Sequence, residues 1–219
     1  SFDYEGWAGC KDLVKLNLHN PEVRKHIFGA IDFWIDEFQI DGLRIDAADV
    51  ISTDFLDALN AHCKSRKPDF WLMGEVVHGD YNNWAQKGRL DSVTNYQIYK
   101  ALWSSLNDIN FHELSYNLNW QFGQNGIYKT FLPYNFLDNH DVNRIASTVN
   151  KLEHLFLVYS LLFTIPGIPS IYYGSEIGLN GKRNNDVDFE LRPSLPPFSC
   201  IPDFARPTVD SSSLWETIY

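Results

Sequence analysis

Three carboxylates stand at the ends of three candidate strands. Asp46 closes Asp41-Gly42-Leu43-Arg44-Ile45-Asp46, Glu75 closes Phe70-Trp71-Leu72-Met73-Gly74-Glu75, and Asp141 closes Phe136-Leu137-Asp138-Asn139-His140-Asp141. In the first run Leu43, Ile45 and Ala47 alternate with Arg44, Asp46 and Ala48, the period-two pattern of a strand. Its polar side carries an arginine and an aspartate, charges that are costly to bury unless they pair. Taken alone, that pair reads equally well as a surface ion pair on an exposed strand. Three acids at three strand ends, however, have a chemical use that core packing lacks. Cleaving a glycosidic bond takes one carboxyl to attack or to activate water and a second to protonate the leaving oxygen. A third that stays ionised stabilises the oxocarbenium-like transition state.

The elements that must hold these acids can be read around them. Asn20 caps a helix that begins at Pro21 with Glu22 in its first turn, and Val23, Ile27, Ile31, Trp34 and Phe38 follow at helical spacing. That helix ends before Gly42 and leads into the strand of Asp46. Residues 52–64 form a second helix, with Phe55, Leu56, Leu59 and Cys63 on one face. Residues 90–96 are a further strand candidate, 96–106 and 111–122 read as helices, 131–141 hold another strand, 152–165 are a strongly apolar helix, and 168–174 are the last strand. The stretch 180–210 is a Pro- and Asn-rich loop, and 213–219 read as the first turn of a helix. Five strands, near Leu43, Leu72, Val93, Asn135 and Ser170, alternate with helices, which predicts an α/β fold built of parallel β-α units. Ionisable residues at the C-terminal strand ends are the functional signature of a (β/α)8 TIM barrel, but that barrel needs eight strands, and five do not close it.

Composition narrows the partners. A net charge of −10 with no basic run speaks against nucleic acid and against an anionic membrane surface. The longest apolar run, 155–165, is interrupted by Tyr159, Ser160 and Thr164 and is the length of a buried helix rather than a membrane span. Cys10, Cys63 and Cys200 are scattered and have no metal-binding spacing, so reduced thiols and no metal site are expected. The 7 Trp, 11 Tyr and 15 Phe exceed what a core of this size requires and suit a cleft that stacks sugar rings.

These stretches resemble the α-amylase family of glycoside hydrolases. Gly42-Leu43-Arg44-Ile45-Asp46-Ala47-Ala48 is similar to the family's nucleophile strand, Gly74-Glu75 to its acid/base strand, and Phe136-Leu137-Asp138-Asn139-His140-Asp141 to its third catalytic strand. Asp12-Leu13-Val14-Lys15-Leu16-Asn17 resembles the short motif ahead of the nucleophile helix. Gly167-Ile168-Pro169-Ser170-Ile171-Tyr172-Tyr173-Gly174-Ser175-Glu176-Ile177-Gly178 resembles the eighth strand and its loop. Five motifs in the family's order make a specific signal where one alone would be weak. The resemblance implies a retaining α-glucan hydrolase acting on starch-derived oligosaccharides. Asp46 would be the nucleophile, Glu75 the acid/base, and Asp141 the residue that holds sugar hydroxyls and stabilises the transition state. Arg44 would hydrogen-bond the nucleophile, and His140 would bind sugar beside Asp141. Asn139 and Arg144 read as scaffold, and Asp49 as a helix-capping acid.

Two departures from the family pattern matter. The Lys-His pair that helps many members hold calcium is replaced by Asp49 and Val50, so no cofactor is expected, and calcium in a longer parent is not supported by this stretch. The Trp that often stands two residues after the acid/base is replaced by Val77, followed by His78, which is either a substrate contact or a surface-loop residue. The resemblance also implies that residues 1–219 are one partial catalytic barrel, about strands 4 to 8 with their helices. The N-terminal strands, the excursion domain and the C-terminal β domain would then be absent, and the missing barrel strands would be its structural partners. Other functions weighed are a transglycosylase or sucrose-type enzyme of the same family, which would use the same acids, and a non-catalytic relative serving as a partner ectodomain. Such relatives tend to lose catalytic acids, and here all three are kept.

Overall fold

The computed structural model describes residues 4–7, 9–184 and 188–201. The chain opens on an antiparallel hairpin, β1 (Gly6–Trp7) and β2 (Cys10–Val14), which the sequence pattern does not announce. Helix α1 (Pro21–Phe38) starts as expected: Asn20 Oδ1 accepts from the Glu22 amide at 2.9 Å, and Pro21 occupies the first turn. It stops at Gln39, whose left-handed backbone (φ 54°) turns the chain toward β3 (Gly42–Ile45). Gly42 is required there, because a Cβ would meet the Trp71 carbonyl oxygen at 2.5 Å.

After α2 (Thr53–Arg66), β4 (Trp71–Gly74) pairs with β3 in parallel, with Leu43 opposite Leu72 and Ile45 opposite Gly74. Strand β5 (Ser92–Val93) pairs in parallel with β4, and a parallel bridge from Thr94 to Tyr134 joins it to β6 (Tyr134–Phe136). Helices α3 (Tyr96–Asn107) and α4 (His112–Phe122) fill the crossover between β5 and β6. The short α5 (Ile145–Thr148), which was not expected, and α6 (His154–Thr164) lead to β7 (Ile168–Ser170), parallel to β6. The five expected strands therefore run parallel in chain order, and among the described residues the outer edges of β3 and β7 have no strand partner.

Two apolar clusters sit under this sheet. One joins Ile31 of α1, Phe55, Leu56, Leu59 and Cys63 of α2, and Leu72, Leu90 and Val93; the other joins Ile98 and Leu102 of α3, Leu137, Ile145, and the Leu155, Val158 and Leu162 face of α6. Ion pairs tie helices to the N-terminal ends of strands: Lys64 Nζ reaches Asp91 Oδ2 at 2.9 Å, and Asp91 Oδ2 also accepts from the Leu72 amide at 2.8 Å. No helix among the described residues is long and apolar enough to cross a membrane. The tail expected as loop is described only as 180–184 and 188–201, where it contains two single 3-10 turns, Phe189–Leu191 and Phe198–Cys200. The helical turn read over 213–219 lies outside the described residues.

Candidate active site

Parallel strands deliver their C-terminal ends to one side, and the three acids gather there. Asp46 follows the last residue of β3 and Glu75 the last residue of β4. The ladder runs one step past the strands: the Glu75 amide donates to Ile45 O at 2.8 Å and the Ala48 amide to Glu75 O at 2.9 Å. Between these bonds the chain turns at Ala47, which adopts a left-handed conformation (φ 43°, ψ 45°). A non-glycine residue pays about 1–2 kcal/mol for that conformation. The turn aims the Ala47 amide at the Glu75 carboxylate, which accepts it on Oε2 at 3.1 Å.

Arg44 brings the two acids onto one cation. Its Nη1 forms a close ion pair with Asp46 Oδ1, and its Nη2 lies 3.1 Å from Glu75 Oε2. The environments of the two carboxylates differ sharply. The Glu75 side chain is 14% exposed and that of Asp46 79% exposed, with Arg44 at 31%. Glu75 thus sits in the drier position and Asp46 faces the opening. Beside Asp46 a cavity of about 600 Å³ is walled by Ala47, Val50, the hairpin residues Trp7 and Leu13, and Leu16 beyond the hairpin.

Asp141 reaches the same side by another route. It does not stand at the end of its strand, as the sequence pattern suggests, but five residues beyond β6. Asn139 ends the extended run: its Oδ1 accepts from the amides of Asp141 at 2.8 Å and Val142 at 3.1 Å, folding the chain into a side-chain-closed turn. His140 Nε2 lies 3.1 Å from Asp141 Oδ2, and Arg192 Nη2 lies 3.2 Å from Asp141 Oδ1. Arg192 also donates from Nε to His140 O at 3.1 Å and pairs through Nη2 with Asp188 Oδ2 at 2.9 Å.

Tyr96, the first residue of α3 after β5, stands between the two groups. Its hydroxyl accepts from Asn139 Nδ2 at 3.0 Å. Burial raises its pKa most, and the Asn139 bond lowers it. The charges of Glu75 and Asp141 raise it further while Arg44 lowers it, so both acids act on one phenol. Tyr96, Arg192 and Asp188 were not singled out by sequence. Tyr96 sits at a strand's C-terminal end, a place that marks candidates in parallel sheets. Arg192 lies 51 residues from Asp141, and no local spacing announces that pair. His78 is exposed in the loop after β4, and no hydrogen bond or ion pair joins it to the three acids. Among the described residues no group of three or more His, Cys, Asp or Glu side chains is placed to hold a metal ion.

The family model described as Alpha amylase, catalytic domain matches residues 3–195. Among curated proteins, the intracellular maltogenic amylase of Bacillus subtilis (strain 168) is 29% identical over 185 residues, covering 83% of this chain and 31% of that protein. The cyclomaltodextrinase of Geobacillus thermopakistaniensis is 32% identical, covering 82% of this chain and 31% of that protein. Among solved structures, the ligand-free cyclic alpha-maltosyl-(1→6)-maltose hydrolase of Arthrobacter globiformis superposes with a TM-score of 0.75 at 30% identity, over 83% of this chain and 42% of that one. The chain spans about a third of the length of the curated relatives it matches.

Proposed function

The chain belongs to the α-amylase family of glycoside hydrolases, and from that premise we propose that it carries the catalytic acids of a retaining α-glucan hydrolase acting on starch-derived oligosaccharides. The observation that carries the reading is Arg44, whose guanidinium touches both Asp46 and the less exposed Glu75. In this reading an Asp46 carboxylate oxygen attacks the anomeric carbon while Glu75 gives its proton to the glycosidic oxygen, and the C–O bond to the leaving sugar breaks. The glycosyl ester neutralises Asp46 and leaves the negative charge on Glu75. Arg44 has one arm on each carboxylate, so the cation has an anionic partner before and after the step. Water then enters, gives its proton to Glu75, and its oxygen bonds the anomeric carbon as the ester breaks.

Asp141, held by His140 and Arg192, is the third acid; it binds sugar hydroxyls and opposes the positive charge of the transition state. Arg44 and His140 complete the sugar-facing set, and His78 is assigned to the rim of the cleft. Maltodextrins and cyclic maltosyl compounds are the substrates to try first, since the similar proteins are a maltogenic amylase, a cyclomaltodextrinase and a cyclic maltosyl-maltose hydrolase. The outer edges of β3 and β7 are proposed as the places where the remaining strands of an eight-stranded barrel pair, which makes the five strands here its fourth to eighth.

The test uses the intact natural protein. Asp46→Asn should abolish maltodextrin hydrolysis. Glu75→Gln should cripple it while sparing the first step on activated aryl glycosides, whose leaving groups need little protonation. Equal loss on both substrate types would remove Glu75 from the acid's role.

A further inference from the structure

We propose that Arg144 is a positioning residue for Asp141, acting through Leu191 and Arg192. The proposal rests on the role given to Asp141 above. Arg144 is fully buried, a costly place for a guanidinium unless its arms are used. It uses two of its three nitrogens, Nε and Nη1, on separate segments, while the buried Nη2 has no hydrogen-bond partner among the described residues. Nε donates to Leu191 O at 2.9 Å, and Nη1 donates to Tyr173 O at 2.5 Å and more weakly to Ser175 Oγ at 3.4 Å. Its own amide donates to Gly181 O at 3.0 Å. The guanidinium carbon lies 4.1 Å from the ring centre of Tyr172 and 4.8 Å from that of Tyr173, so two aromatic faces hold its plane.

This network brackets the turn that carries Asp141. At the start of the turn, Asp138 accepts from Ser175 Oγ at 2.7 Å and from the Ile145 amide at 2.8 Å. At the end stands Arg144. Residues 139–143, with His140 and Asp141 among them, are therefore fixed at both ends. The second hold comes from outside the turn. Leu191, whose carbonyl takes the Arg144 Nε bond, precedes Arg192, which binds Asp141 Oδ1 and His140 O. The Arg192 side chain is itself half-exposed and long, so it would lose much rotamer freedom to hold one carboxylate. Anchoring its backbone neighbour on a buried cation removes part of that freedom in advance. Arg144 thus touches no reacting group yet sets where Asp141 sits.

The test is a double-mutant cycle in the intact natural protein with maltodextrin as substrate, together with a crystal structure of Arg144→Lys. Lysine keeps the charge and loses the planar fork. Arg144→Lys is expected to lower kcat about ten- to a hundred-fold with KM little changed, the scale of a small displacement of a positioned group. Arg192→Gln alone should lower kcat, and adding Arg144→Lys to it should cost little more, because both act on one relay. In the crystal structure of Arg144→Lys, Arg192 should have left Asp141. A merely structural role predicts a lower Tm with losses that multiply in the double variant; that outcome, or an intact Arg192–Asp141 contact in Arg144→Lys, overturns the proposal. Should Arg144→Lys fail to fold, Tyr172→Leu, which removes one stacking face and keeps every hydrogen bond of Arg144, should lower kcat in the same direction by a smaller factor. An unchanged kcat there overturns the relay. Asp141→Asn is the control: full activity in it overturns the role of Asp141 itself, and the relay is then decided by the crystal structure alone.

Discussion

The amide of Ala47 donates a hydrogen bond to Oε2 of Glu75 at 3.1 Å, joining a left-handed residue after one strand to the carboxylate that ends the next. The bond depends on a backbone conformation that alanine adopts at a cost and that a β-branched residue tolerates worse. Ala47→Val should destabilise the protein by about 1–2 kcal/mol, seen as a lower Tm. It should also lower kcat more than it changes KM, because Glu75 loses a donor that orients it. A normal kcat in Ala47→Val would show that Glu75 is oriented without this bond.

Asp138 supplies a pH prediction. It is 2% exposed, and burial pushes its carboxyl up to about 6 from an ordinary value of 3.8, against the lowering effects of the Ile145 and Ser175 hydrogen bonds and the Arg144 charge. A carboxyl whose folded pKa is raised binds more protons folded than unfolded between those two values. Stability from this group is therefore fully present below about pH 4 and is lost as pH rises through about 6. The loss is on the order of 3 kcal/mol. Thermal melts from pH 4 to 7 should show that downward component in the natural protein and should lack it in Asp138→Asn. An identical pH profile in the two would contradict the burial argument.

The strands at Leu43 and Leu72 were legible because each is a short, largely apolar run bounded by turn residues, and Asp46 and Glu75 were legible because each follows such a run directly. Asp141 was placed on the right side of the sheet but not at a strand end, since nothing in Phe136-Leu137-Asp138-Asn139 says that the Asn139 side chain will close a turn. The hairpin of β1 and β2 was not legible for a different reason. Every residue of β2 is exposed, so it lacks the alternation of buried and exposed positions that announces a strand. Tyr96 read only as the junction of a strand candidate and a helix, and Arg192 reaches Asp141 across 51 residues through tertiary packing.

Among the described residues the outer edges of β3 and β7 have no strand partner, which leads to a prediction about residues 1–219 expressed by themselves. Parallel strands are normally covered on both faces, and free edges recruit other chains. Phe33, Trp34 and Phe38 of α1 are also large and exposed. The isolated segment should aggregate or associate edge to edge and should not hydrolyse maltodextrin. A soluble monomer of residues 1–219 with a cooperative melt and maltodextrin-hydrolysing activity would show that no further strands are needed.

The most direct measurement is the capture of the glycosyl-enzyme. The intact natural protein, slowed by Glu75→Gln, is incubated with an activated fluoro-glucosyl fluoride, digested, and its peptides are weighed. The prediction is one sugar adduct, borne by the peptide that contains Asp46 and absent when Asp46 is also Asn. A sugar found on Glu75 in the unmutated protein, or a reducing end released with inverted anomeric configuration and no adduct at all, would contradict the assignment of Asp46 as nucleophile.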